Sequence, residues 1–272
     1  MKKNEIKSPE FLSRLKSVYG DEATCQQERF LSLAETFEKD FNCDADVRFF
    51  SAPGRTEVGG NHTDHNNGKV LAAAINLDAI AAVEARDDGI ICVNSQGYSP
   101  ITVDTANLNI VDEEAGKSSA LIRGVCARFN ELGYKYGGFN ASVTSCVLSG
   151  SGLSSSAAYE VLIGTILNYI YNDGKISAVE IAQISQYAEN VYFKKPCGLM
   201  DQTACSVGGF VKIDFEDTSA PVIRKVDFDI AKHGYNLCIV DTGGNHADLT
   251  GDYAAIRLEM NSVAEYFGKS VL

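Results

Sequence analysis

The chain has 272 residues, of which 45% are hydrophobic and 22% are charged, and its formal net charge is −12. A chain of this length and composition can bury a sizeable core, which excludes a disordered linker and a collagen-like protein. The negative charge and the lack of a basic stripe argue against nucleic acid as a partner. A phosphate ligand would therefore have to be held locally, by backbone amides, a helix N-terminus or a cation.

The eight cysteines are scattered singly through apolar stretches, without a Cys-x-x-Cys pair. This spacing favours buried thiols over a zinc site or a disulfide framework. The N-terminus is charged and lacks an apolar signal segment, and no apolar run approaches the roughly 20 residues that cross a bilayer. We therefore predict a cytoplasmic protein without a membrane partner.

The first half of the chain is predicted to begin with helices and to continue with strands. Residues 8–42 have the apolar spacing of helices. Five strands are predicted, at residues 47–51, 70–75, 80–85, 90–94 and 101–104. The sequence Asp87-Asp88-Gly89 predicts a hairpin turn between the third and the fourth of them.

The second half mixes predicted helices and strands. Helices are predicted at 118–132, 154–171, 177–193 and 251–267, and strands at 139–147, 209–215 and 235–240. The irregular stretch 218–229 contains Pro221 and is a candidate link between two lobes. The last helix is amphipathic and would need a partner, so we predict that the chain is a fragment of a longer protein.

Three segments could carry chemistry, and the first is 51–68. It follows a predicted strand and places Arg55, Asn61, His62 and Asp64 close together. Their donors and acceptors suit a ligand that bears several hydroxyl groups. The equally weighted alternative is a surface loop whose Asn and Asp side chains satisfy their own backbone.

The second segment, 148–159, places glycines and serines between a predicted strand and an apolar helix. Its glycines let the backbone approach a ligand, and its helix start exposes free amides, which together suit a phosphate. It is not a Walker A loop, because no Gly-Lys-Ser/Thr follows. A serine N-cap on an ordinary core helix is the alternative.

The third segment, 189–202, contains Asp201 between apolar residues at a predicted helix start. Such a carboxylate must be paired, capping or catalytic, and capping is the usual answer. Because it follows a glycine-containing turn, Asp201 is also a candidate general base. Glu189, together with serine hydroxyls, could hold a hard cation, although an exposed helical glutamate is the commoner interpretation.

In this order and spacing, the three segments resemble the GHMP kinases and, within them, the galactokinases. Residues 55–68 look like the sugar-binding signature, 150–158 like the phosphate loop and 196–202 like the catalytic aspartate segment. The resemblance implies a monomeric kinase that transfers the γ-phosphate of ATP to the anomeric hydroxyl of galactose with the help of Mg²⁺.

The resemblance also implies an α+β fold of two lobes. The N-terminal lobe, residues 8–208, would be of the ribosomal protein S5 domain 2-like type, with a mixed sheet and helices on one face. Residues 209–272 would begin a C-terminal α/β sandwich lobe that is incomplete in this chain.

Site roles are implied residue by residue. Asp201 would be the catalytic base or the electrostatic partner of the attacking hydroxyl, and Arg55 would orient that hydroxyl. The implied sugar contacts are Arg55, Asn61, His62, Asp64, Gly198, Asp201 and Tyr253. The implied nucleotide contacts are Gly150, Ser151, Gly152, Leu153, Ser154, Ser155 and Ser156. Ser155 or Ser156, with Glu189, would bind Mg²⁺.

Three positions depart from the galactokinase pattern. Asn61 stands where an acid is usual, Asn245 replaces an arginine and Leu148 replaces a proline. The first two touch the implied sugar site, so a kinase for a related sugar, N-acetylgalactosamine or a sugar acid, is an alternative. A non-catalytic regulator that binds galactose and ATP on the same scaffold is another.

Overall fold

The structure is a computed structural model that describes residues 3–42, 46–60, 63–147, 150–240 and 250–272. A seven-stranded mixed sheet forms its centre, with the strand order β4-β3-β5-β2-β6-β7 and with β1 paired to β2. The strands are β1 Arg48–Gly59, β2 Lys69–Arg86, β3 Ile90–Ser95, β4 Ile101–Asp104, β5 Gly138–Ser145, β6 Phe210–Asp214 and β7 Val222–Val226. The pairing of β3 with β5 is parallel and the other pairings are antiparallel.

The helices are α1 Lys3–Ile6, α2 Pro9–Tyr19, α3 Ala23–Phe41, α4 Ser118–Glu131, α5 Ser155–Tyr171, α6 Ala178–Tyr187, α7 Met200–Val207 and α8 Thr250–Tyr266. Helix α6 continues directly into a π-helical turn, Ala188–Tyr192. The predicted α+β class and most of the predicted helices are confirmed. Among the residues that the structure describes, no helix is long and apolar enough to span a bilayer.

The long strand β2 organises the sheet. The two strands predicted at 70–75 and 80–85 are its two halves, and they are separated in sequence by residues 76–79, which include the polar Asn76 and Asp78. Strand β1 pairs along one edge of β2, whereas β5 and β6 share the other edge. Asp78 is buried within the strand because Tyr19 and Ser51 donate to its carboxylate at 2.5 Å, as does Arg29 Nη1.

The turn at Asp87–Gly89 does not form a hairpin, so that prediction is wrong. Strand β5 lies between β2 and β3 and pairs with both. The turn itself is present, since Asp88 Oδ1 accepts the backbone N–H of Ile90 at 3.1 Å. Strand β5 can approach because Gly138 lacks a side chain, and a Cβ there would lie 2.6 Å from the Ile90 carbonyl oxygen.

Helices cover both faces of the sheet, which corrects the expectation of helices on one face. Ala79, Ala81 and Val83 of β2 belong to the core formed with α4, α5 and α6, whereas Ile80 and Ala82 belong to the core formed with α1, α2 and α3. A strand that is buried on both faces carries a continuous apolar run instead of an alternating one. Residues 79–83 have that pattern.

The sheet continues past residue 209. Strand β6 pairs with the first half of β2, and β7 pairs with β6. The division into 8–208 and 209–272 stays a prediction. The strand predicted at 235–240 is wrong, because these residues form no strand and are exposed, whereas β7 lies in the stretch predicted to be irregular. Pro221 directly precedes β7, and proline is tolerated there because no ladder hydrogen bond is needed from it.

A largely buried ion pair fixes the start of α4. Arg123 donates to both carboxylate oxygens of Glu114, at 2.9 and 2.8 Å. The hydrogen bond from Arg123 lowers the pKa of Glu114. A carboxyl whose folded-state pKa is lowered contributes stability above its unfolded pKa and loses it as the pH falls through the folded value.

We expect Arg123→Met to lower the free energy of unfolding by about 2 kcal/mol near neutral pH, because it leaves Glu114 without its partner. The difference from the parent chain should shrink as the pH falls below the ordinary pKa of a glutamate and Glu114 becomes protonated. Urea unfolding near neutral pH and in acid measures it. The control Lys175→Met removes an exposed pair with Asp173 and should change little. A difference that does not vary with pH would contradict the assignment to Glu114.

Candidate active site

The predicted phosphate loop lies directly against β1. The backbone N–H of Arg55 donates to the carbonyl oxygen of Leu153 at 3.1 Å. A Cβ on Gly54 would lie 2.9 Å from the same oxygen, so glycine is needed for this approach. The pairing of β1 with β2 shifts register between Pro53 and Arg55, at this point. The first and second predicted segments therefore meet at Arg55.

The side chain of Arg55 connects the phosphate loop to Asp201 on α7. Its Nε and Nη2 donate to Oδ1 and Oδ2 of Asp201, both at 2.7 Å, and its Nη1 donates to the Gly152 carbonyl at 2.7 Å. Burial lowers the pKa of Arg55, but the charge and hydrogen bond of Asp201 outweigh it and raise the pKa overall. The result is a bidentate ion pair, the strongest kind of arginine–carboxylate contact.

Asp201 is the more exposed residue of this ion pair. Its side chain is 31% exposed, whereas that of Arg55 is 9% exposed. The hydroxyl of Ser154 also donates to Asp201 Oδ2. Arg55 and Ser154 thus orient the carboxylate of Asp201, and part of this carboxylate remains accessible to a ligand.

The sugar-signature segment meets the aspartate segment at Gly198. A Cβ on Gly198 would lie only 1.7 Å from Oδ2 of Asp64, and Asp64 is buried. The structure therefore brings together Arg55, Asp64, Gly198 and Asp201, four of the residues implied for the sugar. Asn61, His62, Leu148 and Asn245 lie outside the described residues, and so does the side chain of Tyr253.

The loop before α5 has a conformation that suits a phosphate. Gly150, Gly152 and Ser154 have positive φ angles of 73°, 77° and 61°, and α5 begins at Ser155. For Ser154 this conformation costs on the order of 1 kcal/mol, and the hydrogen bond to Asp201 helps to hold it. Backbone amides at such a turn and at a helix N-terminus favour an anion.

A second polar contact lies further along α5. The hydroxyl of Ser156 donates to Oε1 of Glu189 at 3.0 Å, and Nζ of Lys195 lies 3.0 Å from the same oxygen. Burial lowers the pKa of Lys195, but the nearby Glu189 raises it overall, so the amine is charged. A hydroxyl and a carboxylate oxygen are hard donors that fit Mg²⁺, which usually keeps waters and phosphate oxygens as its other ligands.

The π-helical segment Ala188–Tyr192 places Glu189 in the protein interior. The N–H of Phe193 donates to the Ala188 carbonyl at 3.0 Å, the spacing of a π-helix. Gly124 of α4 lies against this turn, since a Cβ there would be 2.8 Å from Ala188 Cα. Glu189 is only 2% exposed, so the exposed helical glutamate of the alternative interpretation is not what the structure shows.

The sequence reasoning missed three contributors. These are Ser154 as a partner of Asp201, Lys195 beside Glu189, and a buried pair, Glu160 and Gln202, behind Glu189. Burial and then the nearby charge of Glu189 raise the pKa of Glu160 well above its usual range. Glu160 could have been noticed, because it is a charged residue within an apolar helix.

Two family profiles match the chain over the ranges that form this site. Residues 35–85 match the galactokinase galactose-binding signature, and residues 120–209 match the GHMP kinases N terminal domain. The first range contains Arg55 and Asp64, and the second contains Glu189, Gly198 and Asp201. The chain belongs to the GHMP kinase superfamily.

Within this superfamily, the curated relatives that the chain matches include galactokinases of several bacteria. It is 37% identical over 229 residues to the galactokinase of Streptomyces coelicolor, covering 82% of this chain and 57% of the relative. It is 36% identical over 223 residues to the galactokinase of Clostridium tetani, covering 82% and 56%. The chain therefore spans little more than half the length of these relatives.

Solved structures confirm the fold. The galactokinase of Lactococcus lactis complexed with galactose superposes with a TM-score of 0.71 at 22% identity, covering 87% of this chain and 61% of that one. The mevalonate kinase of Methanococcus jannaschii superposes with a TM-score of 0.60 at 16% identity, covering 82% and 73%. The predicted GHMP kinase fold is thus confirmed for the part of the chain that superposes.

Proposed function

We propose that this chain carries the sugar site and the phosphate loop of a cytoplasmic, monomeric galactokinase-like enzyme. The reaction would transfer the γ-phosphate of ATP to the anomeric hydroxyl of galactose, giving galactose 1-phosphate and ADP. The observation that carries the proposal is the bidentate pair of Arg55 with Asp201. Arg55 donates to the Gly152 carbonyl and Ser154 donates to Asp201, so the pair contacts the phosphate loop. On the sugar side, Gly198 of the aspartate segment lies against Asp64.

In the proposed reaction, the anomeric oxygen of the sugar attacks the γ-phosphorus and the bond from that phosphorus to the bridging oxygen of ADP breaks. Asp201 accepts or orients the hydroxyl proton, and Arg55 stabilises the negative charge that develops on the oxygen. Positioning supplies much of the catalysis in phosphoryl transfer, which needs little covalent chemistry from the protein. A carboxylate that Arg55 and Ser154 hold in place and that stays partly exposed suits that task.

The remaining residues would hold the two substrates. Asp64 and Gly198, with Asn61, His62 and Tyr253, would bind the sugar hydroxyls. Residues 150–156 would hold the triphosphate, and Ser155 or Ser156 with Glu189 would bind Mg²⁺. The contact of Ser156 with Glu189 favours Ser156. The bound cation would neutralise phosphate charge.

The neutral Asn61 favours one alternative substrate class. An amide can donate a hydrogen bond to an acetamido or carboxylate group, whereas an acid at the same place would repel a carboxylate. N-acetylgalactosamine and galacturonate are therefore candidates beside galactose. A non-catalytic regulator that binds galactose and ATP is the other alternative, but the presence of Asp201 and of the glycine-rich loop favours a kinase.

A coupled ADP-release assay with Mg-ATP tests the proposal, using galactose, N-acetylgalactosamine, galacturonate, glucose, mevalonate and homoserine. Calorimetry with the same compounds measures binding separately from turnover. Turnover with galactose alone would support the galactokinase assignment, and turnover with another compound would reassign the substrate. Binding of both galactose and ATP without any turnover would favour the regulator over the kinase.

A further inference from the structure

Three buried polar side chains lie where α5, the π-helical turn and α7 meet. They are Glu160 and Gln202, both 0% exposed, and Glu189, which is 2% exposed. Two carboxyl groups in such a place are costly unless their hydrogen bonds are satisfied. Only Glu189 has a role in the proposed function, so Glu160 and Gln202 need an explanation of their own.

Gln202 bridges the two carboxyl groups with one nitrogen. Its Nε2 donates to Oε2 of Glu189 at 2.7 Å and to Oε2 of Glu160 at 3.3 Å. The other oxygen of Glu189, Oε1, accepts from Ser156 and lies beside Lys195. The amide of Gln202 therefore holds Oε2 of Glu189, while Oε1 of Glu189 faces the phosphate loop at Ser156.

The chemistry of an amide explains why glutamine suits this position. It has two N–H donors, one for each carboxyl group, and it adds no second positive charge to the one that Lys195 already places beside Glu189. A lysine in its place would put cations on both oxygens of Glu189, and an apolar residue would leave Oε2 of Glu189 without this donor. Groups behind a metal ligand commonly fix its orientation in this way.

The cluster is not optimised for stability alone. Oε1 of Gln202 and Oε1 of Glu160 are buried and have no hydrogen-bond partner among the described residues. Each such atom costs on the order of 1–3 kcal/mol. An apolar contact between α5 and α7 would avoid this cost, so the polar cluster is retained for something other than packing.

We propose that Gln202 is a positioning residue for the metal site, and that Glu160 anchors its amide so that Glu189 directs one oxygen at the cation. The inference rests on the proposed function, in which Ser156 and Glu189 bind Mg²⁺. Gln202 directly follows Asp201 on α7. One turn of this helix would thus set both the carboxylate that meets the sugar and the carboxylate that meets the metal.

The test uses Mn²⁺ as a spectroscopic substitute for Mg²⁺. Mn²⁺ is titrated by electron paramagnetic resonance into the chain with a non-hydrolysable ATP analogue, and sugar affinity is measured by calorimetry. Gln202→Met keeps the length of the side chain but removes both donors. It should weaken Mn²⁺ binding about 10- to 100-fold, the usual cost of losing a group behind a metal ligand, and should change sugar affinity less than about 2-fold.

Two further variants keep the result interpretable. Since Gln202→Met removes the donor to Oε2 of Glu189 and to Oε2 of Glu160, Glu160→Gln/Gln202→Met is measured beside it and should show the same loss while removing one buried carboxyl. The matched control is Gln96→Met, because Gln96 is exposed and its side chain accepts a hydrogen bond from the Thr144 hydroxyl. It should bind Mn²⁺ like the parent chain.

The variant Glu189→Gln distinguishes a failure of the positioning role from a failure of the proposed metal site. If this change weakens Mn²⁺ binding and the Gln202 variants do not, the positioning role is overturned and the proposed metal site stands. If Glu189→Gln leaves Mn²⁺ binding unchanged, the metal site itself is wrong and the positioning role with it. An equal loss of sugar and Mn²⁺ affinity in the folded Gln202 variants would indicate general damage and would also overturn the inference.

Discussion

Asp201→Asn is expected to lower turnover at least about 100-fold, the usual scale for the loss of a general base. The amide keeps the size of the carboxylate, so sugar affinity should stay nearly unchanged. It cannot accept from both donors of Arg55, however, because its NH₂ group would face Nη2, which now donates to Oδ2. Steady-state ADP release measures turnover, and calorimetry measures sugar affinity.

The control for this change is Asp173→Asn. Asp173 lies in an exposed turn at a φ of 55°, a left-handed conformation that asparagine tolerates well. This variant should keep the turnover of the parent chain. If Asp201→Asn also keeps near-parental turnover, Asp201 has no part in the chemistry and the proposed mechanism falls.

Gly198→Ala is expected to weaken sugar binding at least about 10-fold. The added Cβ would lie 1.7 Å from Asp64 Oδ2, so the buried carboxylate must move. The displaced carboxylate would lose its proposed contact with the sugar hydroxyls, and a loss of about 1.4 kcal/mol of binding free energy corresponds to a tenfold change in affinity. Calorimetry measures the effect with whichever sugar the panel identifies, and ATP affinity should change less than about 2-fold.

Gly251→Ala is the matched control, because an added Cβ at Gly251 meets nothing within 4 Å. It should leave both affinities unchanged. An unchanged sugar affinity in Gly198→Ala would show that Asp64 does not have to occupy its present place for the sugar to bind. The assignment of both residues to the sugar site would then be wrong.

The sequence was most informative where local signals decide the structure. The end of α5 at Tyr171 follows from Asn172-Asp173-Gly174, and the start of α6 follows from Ser177, whose side chain accepts the N–H of Glu180 at 3.2 Å. The insertion of β5 between β2 and β3 was not predictable in this way. It depends on a strand about 50 residues further along the chain, and no local pattern in the Asp87–Gly89 turn reports it.

The candidate site likewise has features that the local sequence predicts and features that depend on distant contacts. The glycines and serines of the phosphate loop and the isolated Asp201 are visible as a pattern, and the resemblance to a known family gave their roles. The contact of Ser154 with Asp201 and the bridge from Gln202 to Glu160 were not predicted, because they join residues that are 47 and 42 positions apart. Only packed helices bring such pairs together.

The π-helical turn at Ala188–Tyr192 has a consequence for sequence change. A π-helical turn contains one residue more than the α-helical turn that it replaces, and such turns occur frequently at functional sites. Deleting a single residue between 190 and 192 would let the segment relax to α-helical pairing, and the helical residues on its two sides would keep their rotation because the bulge absorbs the extra residue. Glu189 lies within the bulge, so a one-residue gap here would change the direction of its carboxylate and would be a mark of relatives that have changed or lost the proposed metal site.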